Sequence, residues 1–273
     1  MNIELSSKPP QRPHEQPPAP WRGGEHGVAP RFEPVRVVDT HSEHCVSVCL
    51  FSEPEWKKRF PSRDFRERFL SKANDARTRL AALGYSSVIF CDREMEQLAC
   101  DLRLGSVYRV THPPAFPFAQ HIWRYLAVLL PPHPTIRAYH FRGMDNLLLS
   151  KSDVQLFELL LRQQLDVLHE PYLRHKGRHY TPVRGSCSVA REGIASLAWW
   201  LQEMRHYKPE GNDWVDAWHS DEAYLEGWFQ QSIAHLRPLT VIDRELPMEF
   251  YWDLWKRNQS ARTFHIVRRE QQV

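Results

Sequence analysis

Several features that would assign this sequence to a particular class of protein are missing from it. No run of five or more like charges occurs and the net charge is only +3, which gives little electrostatic support for a nucleic-acid partner. The longest apolar stretch, residues 122–130, contains Arg124 and is too short to cross a bilayer. The N-terminus lacks the apolar segment of a secretory signal peptide. We therefore expect no transmembrane segment, no nucleic-acid partner, and a cytoplasmic location or export by a dedicated secretion system.

The sequence also lacks the cysteine pattern of a disulfide framework or a zinc site. Its five cysteines are loosely spaced, and no two of them form a C-x-x-C pair. An odd count at such spacing is typical of a reducing compartment. Cys45 and Cys49 lie within the apolar run 45–51, so burial in the core is favoured over a shared metal ion.

The N-terminal segment has almost nothing apolar to bury. Residues 1–34 hold eight of the 21 prolines, together with glutamine, serine, glycine and charged residues. Such a composition predicts a disordered proline-rich tail, which is either a linker or a leader for export. Residues 35–273 have the composition of a globular domain, and we expect them to form one folding unit.

That domain alternates β-branched runs with amphipathic helical patterns. Ser150 and Asp153 form a capping box that opens one of these helices. The alternation predicts an α/β fold in which a mainly parallel mixed sheet is covered by helices on both faces. The predicted strands are 35–38, 45–51, 86–91, 107–110, 135–141 and 239–242, and the predicted helices are 65–83, 95–102, 119–130, a helix from 150 with an apolar face to 168, 192–204, 221–236 and a core-facing segment near 250–255.

Two aspartates follow predicted strands, at the edge where ligands bind in such sheets. Asp92 ends one strand, and Asp145 follows another, flanked by Arg142 and Asn146. Oxygen ligands of this kind suit Mg²⁺ or Mn²⁺ bridging a diphosphate, and Arg142 and Arg124 suit phosphate oxygens. The alternative is a plain turn, because glycine, aspartate and asparagine all favour turns.

Three further segments admit two interpretations each. Asp221 and Glu222 open an apolar helix, as capping residues or as a catalytic base and an acceptor-binding carboxylate. Residues 185–188 are a small-residue turn whose N–H groups suit a sugar or phosphate, although a plain turn fits equally. His41 and His44 are three positions apart, whereas a metal-hydrolase strand needs two, so a hydrolase is the least favoured hypothesis.

The order of these segments resembles the bacterial and viral nucleotide-diphospho-sugar transferases of the GT-A type. The resemblance covers residues 45–240 and rests on several short motifs in the same order. The matching segments are the strand Val46–Phe51, the strand that ends at Asp92, Trp123–Leu126 for a W-R-(F/Y)-L helix, Arg142–Asn146 for R-D-x-D-S, Pro182–Ser186 for a P-(I/V)-x-(A/G)-G turn, and Asp221–Leu225 for D-Q-x-(F/Y)-L.

This resemblance implies a single Rossmann-like GT-A domain that moves a sugar from a nucleotide-sugar donor to a glycan or protein acceptor. It implies that Asp145 binds a divalent metal, Mn²⁺ or Mg²⁺, beside the donor diphosphate. Asp221, with Glu222, would face the sugar or the acceptor as the catalytic group. The donor-binding residues that it implies are Phe51, Asp92, Arg124, Arg142, Asn146, Gly185 and Ser186.

The sequence departs from the family pattern at two positions. Gly143 replaces the first aspartate of the D-x-D pair, and Glu222 replaces an amide. A single carboxylate binds a hard dication more weakly than two. Three interpretations follow: an enzyme that spares the metal, an enzyme that uses another ligand such as His140 or His219, or a degenerate domain that serves as a binding module or a secreted bacterial effector.

Overall fold

The protein is represented by a computed structural model. It describes residues 31–39, 41–52, 65–112, 119–170, 172–174, 179–181, 185–203, 220–232, 234–242 and 265–268. Residues 1–30 of the predicted tail, which was expected to extend to residue 34, and the predicted segment near 250–255 lie outside these ranges. The first strand begins at Arg31, so the sheet starts four residues before the predicted boundary at residue 35.

Nine strands of the described chain form one sheet, and two more form a separate hairpin. The main sheet has the order β1-β4-β3-β2-β5-β9-β6-β10-β11, and β7 pairs with β8. The strands are β1 Arg31–Arg36, β2 His44–Leu50, β3 Ser86–Cys91, β4 Ser106–His112, β5 Ala138–Phe141, β6 Val167–His169, β7 Tyr172–Arg174, β8 His179–Thr181, β9 Ser188–Ala190, β10 Pro238–Ile242 and β11 His265–Arg268.

The main sheet is mixed but mainly parallel, which confirms the predicted class. β2 lies between β3 and β5 and runs parallel to both. Among the described strands of the main sheet, only β1 and β9 run against the direction of the others, because β1 pairs antiparallel with β4 and β9 pairs antiparallel with β5 and β6. β3 and β4 lie on one side of β2 and β5 lies on the other, so the order in which the chain adds strands reverses at β2.

Helices cover both faces of this sheet. One face packs against α1 (Phe65–Leu83), α2 (Glu96–Asp101) and α3 (Lys151–Arg162). The other packs against a 3₁₀ segment (Ala119–Leu129), α4 (Glu192–Glu203) and α5 (Ser220–Ser232). A strand buried on both faces needs a continuous run of apolar or small residues, which is what β2 and β3 provide. None of the described helices has the length and apolar character to cross a membrane.

Two cysteines of β2 belong to this core, as the sequence predicts. Cys45 and Cys49 are buried among the side chains that face the 3₁₀ segment. Burial raises the pKa of the Cys45 thiol to about 12, so at neutral pH it is an uncharged apolar group.

The structure corrects several element predictions. The predicted helix 119–130 consists of 3₁₀ turns, and the predicted strand 135–141 is paired only from Ala138. The helix that opens at Ser150 ends at Arg162, and Leu168 lies in β6 instead of on its apolar face. β9 begins at Ser188, the last residue of the predicted turn, and continues through residues 189–190, for which no element is predicted. Strands of three residues are too short to show an alternating pattern, which is why β6 and β9 escaped prediction.

Candidate functional site

The ends of three parallel strands and the start of β9 meet at one edge of the sheet. β9 runs antiparallel, so its first residue lies where β2, β3 and β5 end. The reversal of strand order at β2 and β5 is the position where ligands bind in open α/β sheets. We call this place the carboxyl edge; its predicted site residues are Phe51, Asp92, Arg142, Asn146, Gly185 and Ser186.

Asp92 ties together the ends of β2 and β3. Its Oδ2 accepts hydrogen bonds from the Ser52 backbone N–H at 2.6 Å and from the Ser52 hydroxyl at 3.0 Å. Its Oδ1 accepts from the backbone N–H of Met95 at 2.8 Å, in the turn before α2. Asp92 therefore fixes Ser52 just after the end of β2.

Arg142 follows β5 and is held by α3. Its Nη2 donates to Asp153 Oδ1 at 2.8 Å, and its guanidinium carbon lies 5.2 Å from the centre of the Phe157 ring. Its Nε is buried without a hydrogen-bond partner among the described residues. A buried unpaired donor of a charged group is costly, so Arg142 retains one donor that an added acceptor would satisfy.

Asp153 is the counter-charge of Arg142 and also part of the predicted capping box. The Ser150 hydroxyl accepts from the Asp153 N–H at 3.1 Å, and Asp153 Oδ2 accepts from the Ser150 N–H at 3.0 Å. Burial alone would raise the pKa of the Asp153 carboxyl, but the charge of Arg142 and the bonds from Ser150 outweigh it and lower the pKa. The box is confirmed, and it fixes the carboxylate that orients Arg142.

Phe51 and Arg124 are connected through the 3₁₀ segment. The Phe51 ring packs edge to face on His121, with ring centres 5.1 Å apart. Arg124 is 8% exposed, and its Nε donates to the His121 carbonyl at 2.9 Å. The Arg124 carbonyl accepts from the Ser47 hydroxyl at 2.6 Å. The structure therefore places Arg124 inside the layer beneath the carboxyl edge.

The small-residue turn is fixed beside β5. The Tyr125 hydroxyl donates to the carbonyl of Gly185 at 2.9 Å, and the Phe141 N–H donates to the carbonyl of Cys187 at 2.9 Å. Gly185 is buried and Ser186 is partly exposed. The W-R-Y-L segment and the turn, which were separate motifs in the sequence, are thus hydrogen-bonded neighbours.

The three acidic residues with the strongest predicted roles are placed by their backbone only. A 3₁₀ turn, Met144–Asn146, directly follows β5, so Asp145 belongs to the carboxyl edge and Asn146 is exposed there. Asp221 and Glu222 lie in the first turn of α5. The side chains of all three acids lie outside the described residues. Among the side chains that are described, no group of three or more His, Cys, Asp or Glu is arranged to hold a metal.

A polar cluster at the other edge of the sheet was missed by sequence reasoning. His44 Nδ1 lies 2.9 Å from His140 Nε2, and His44 Nε2 lies 3.4 Å from Glu158 Oε1. Both ring nitrogens of His44 thus face partners other than His41, with which the hydrolase hypothesis paired it. The sequence feature that could have indicated this cluster is the presence of one histidine in each of the two apolar strands β2 and β5. The cluster borders a cavity of about 330 Å³ lined by Glu43, Arg137, Glu158, Leu161, Arg162 and Gln164.

Comparison with solved structures finds chains of related architecture at low identity. One is 4-diphosphocytidyl-2C-methyl-D-erythritol synthase from Anaerococcus prevotii, with 7% identity and a TM-score of 0.46 over 80% of this chain and 98% of that one. A second is a candidate nucleotide-diphospho-sugar transferase from Desulfovibrio desulfuricans, with 14% identity and a TM-score of 0.45 over 74% and 80%.

A third is CMP:2-keto-3-deoxy-manno-octonic acid synthetase in complex with CTP, with 11% identity and a TM-score of 0.46 over 74% of this chain and 90% of that one. No protein-family model matches the sequence, and no curated protein matches it.

Proposed function

We propose that this chain is a glycosyltransferase that moves a sugar from a nucleotide-sugar donor to a glycan or protein acceptor. The observation that carries the proposal is the position of the motifs that the sequence shares with GT-A transferases. Segments spread over residues 51–186 come together at the carboxyl edge, where the strand order reverses. Strand ends meet at this edge in any parallel sheet, so the proposal also depends on the types of residue that the motifs place there.

The donor would occupy the crevice between the ends of β2 and β5. Phe51 and the loop that Asp92 holds would border the nucleoside, and the N–H groups of the 185–186 turn would approach the sugar or the diphosphate. Arg142 would contribute its positive charge to the binding of the donor diphosphate. Arg124, buried in the layer below, would act by placing the 3₁₀ segment under the Phe51 ring.

A divalent cation fits the oxygen donors that the sequence offers at this edge. Asp145 would hold it, and the exposed Asn146 would add an amide oxygen. When bound, Mn²⁺ or Mg²⁺ would neutralise charge on the departing nucleoside diphosphate.

The chain's own acids would supply the proton chemistry. An acceptor hydroxyl attacks the anomeric carbon, the bond from that carbon to the diphosphate breaks, and a carboxylate takes the hydroxyl proton. The resemblance assigns that role to Asp221 or Glu222, which lie in the first turn of α5.

A second candidate function is favoured by Gly143. The absence of a carboxylate at that position weakens any metal site built on Asp145 alone. A catalytically degenerate binding module, or a secreted effector of the same fold, would retain the carboxyl edge and lose metal-dependent turnover.

The test is the melting temperature in the presence of UDP, GDP or a UDP-sugar, with and without Mn²⁺. A ligand at a hundred times its Kd stabilises the folded state by about 2.7 kcal/mol. We expect a saturable rise that is larger with Mn²⁺, and donor hydrolysis that Asp145→Asn abolishes together with the Mn²⁺-dependent part of the rise. Asp75→Asn, at an exposed position of α1, is the matched control.

Two results would redirect the proposal. Nucleotide binding that ignores both Mn²⁺ and Asp145→Asn would favour the binding module. No rise with any of the three ligands would contradict both functions.

A further inference from the structure

Two histidines face each other on the neighbouring strands β2 and β5, near the amino end of β2. His44 begins β2 and His140 lies in β5; they are 5% and 0% exposed. His44 Nδ1 and His140 Nε2 are 2.9 Å apart, so one of these nitrogens must carry a proton and the other must accept it. The direction of the hydrogen bond between the two rings therefore depends on which ring donates its proton.

Each outer nitrogen of the pair has its own partner. His44 Nε2 faces the carboxylate of Glu158 at 3.4 Å, and Glu158 also accepts from the Tyr85 hydroxyl at 3.2 Å. His140 Nδ1 lies 3.0 Å from the hydroxyl of Ser188, the first residue of β9. The result is a continuous line of hydrogen-bonding atoms from the wall of the 330 Å³ cavity to the start of β9.

Glu158 determines the direction of this line when both rings are neutral. A carboxylate only accepts, so His44 carries its proton on Nε2 and accepts on Nδ1. His140 then donates from Nε2, and its Nδ1 accepts the hydroxyl proton of Ser188. All the hydrogen bonds point from Ser188 towards Glu158.

One added proton reverses the inner half of the line. If His44 gains a proton on Nδ1, His140 must accept on Nε2 and carry its own proton on Nδ1. His140 then donates to the Ser188 oxygen. The Ser188 hydroxyl no longer donates to His140 and can donate to another acceptor. A second added proton would set two N–H groups against each other at 2.9 Å, so the pair holds at most one extra proton in this geometry.

Charged groups on the cavity side partly offset the effect of burial on the pair. Burial lowers the pKa of His44, and Arg137 lowers it further, while Glu158 and Glu43 oppose the shift. Burial, then the charges of His44 and Arg142, hold the pKa of His140 well below its usual value. The other charged or titratable groups that face the pair or its partners are Tyr85, Arg79 and Asp153.

We propose that His44 and His140 form a one-proton switch, which links the cavity at the amino ends of the strands to Ser188 at the start of β9. Uptake of one proton by the pair leaves His44 protonated on both nitrogens, moves the His140 proton from Nε2 to Nδ1 and turns Ser188 from donor to acceptor. Ser188 directly follows the 185–187 turn of the carboxyl edge. The switch consists of atoms of this chain alone and stands whether or not a nucleotide binds.

The test is nitrogen NMR of the imidazole rings in the full chain between pH 4.5 and 8. At pH 8 we expect both His44 and His140 to carry their proton on Nε2. On acidification we expect uptake of one proton by the pair and, over the same pH range, transfer of the His140 proton from Nε2 to Nδ1. Glu158→Gln removes the carboxylate beside His44, and we expect it to lower the proton affinity of the pair about tenfold.

Glu94→Gln changes an exposed glutamate of another loop and should leave the titration of the pair unchanged. The switch is overturned if His140 keeps its Nε2 proton throughout, or if both rings become fully protonated in the folded protein. It is also overturned if Glu158→Gln and Glu94→Gln titrate alike. None of these readings requires a nucleotide, so they are separate from the fate of the proposed function.

Discussion

Asp166 is a residue whose importance is visible only in three dimensions. It is 2% exposed and lies between α3 and β6. Its Oδ2 accepts from the backbone N–H of Arg237 at 2.9 Å and from the Arg237 Nε at 3.3 Å, and Arg191 Nε lies 4.0 Å from Oδ1. Its backbone also pairs with Arg237 and Ala190. Asp166 therefore joins the starts of β6 and β10 to the end of β9.

We expect Asp166→Ala to lower the free energy of unfolding by about 2 to 3 kcal/mol, because it leaves a backbone donor and a partly buried guanidinium without their acceptor. Urea denaturation measures the change. Asp75→Ala on the exposed side of α1 is the control and should cost far less. Equal changes in the free energy of unfolding would show that Asp166 contributes no more to stability than an exposed aspartate.

Residue by residue, the sequence predicts those positions that follow from strand ends and helix caps. Asp92 and Arg142 lie at the carboxyl edge because each directly follows a strand with an apolar run, and Ser150 caps α3 as its spacing to Asp153 indicates. The partners of Asp166 could not be predicted in this way. Arg237 is 71 residues from Asp166 along the chain, and no local sequence pattern indicates that the two residues pair.

Among the elements, α4 shows a contact that only glycine permits. Gly193 lies in its first turn, directly against the backbone of Asp166. A methyl group on Gly193 would overlap the Asp166 carbonyl oxygen, which already accepts from the Ala190 N–H at 2.8 Å. The start of α4 is therefore packed on the end of the loop before β6.

We expect Gly193→Ala to destabilise the fold by about 1 to 3 kcal/mol through overpacking, although alanine favours helices over glycine. Ala195→Ser, at an exposed position of the same helix, controls for a change of side chain in α4. Thermal or urea unfolding of the two variants checks this. A Gly193→Ala variant as stable as the parent chain would mean that α4 moves freely against Asp166.

The elements with long periodic patterns are those that sequence predicts well. α1 and β3 begin and end where expected, because each has an unbroken pattern followed by Gly84 or Asp92. The 3₁₀ segment has an equally apolar pattern, but tertiary packing decides its hydrogen bonding. β6 and β9 depend on pairing with distant strands, and such pairing leaves no local trace.

At the scale of the whole molecule, buried histidines make stability depend on pH. The pKa values of His44 and His140 lie below the usual 6.5, so near and below pH 6.5 the unfolded chain binds more protons than the folded one. Stability from these groups is present above about pH 6.5 and is lost as the pH falls through and below that value. For Asp153, whose folded pKa is lowered, the corresponding loss begins near its unfolded value of 3.8.

We expect the free energy of unfolding to fall between pH 6.5 and 5 by at most about 2.7 kcal/mol per pH unit from the two histidines. Urea unfolding at stepped pH measures the slope. His44→Gln should reduce it by about half, whereas His41→Gln at an exposed position should not change it. A slope that is the same in all three chains would contradict this assignment.

The type of sheet and its covering by helices can be predicted from the sequence. Alternation of strands and helices predicts a mainly parallel sheet covered on both faces, and the structure confirms it. Strand order and the antiparallel insertion of β9 could not be derived from composition or periodicity. They depend on which distant strands bury each other's apolar side chains, a property of the assembled sheet.

The central position of β2 has a consequence for how the chain reaches its native state. His44 and His140, which touch across the middle of the sheet, are 96 residues apart along the chain. Closing a loop of that length costs entropy before any pairing energy is gained, so the middle of the sheet cannot form by local zipping. We expect refolding on the millisecond-to-second scale rather than in microseconds, with the rate set by the docking of β5 on β2.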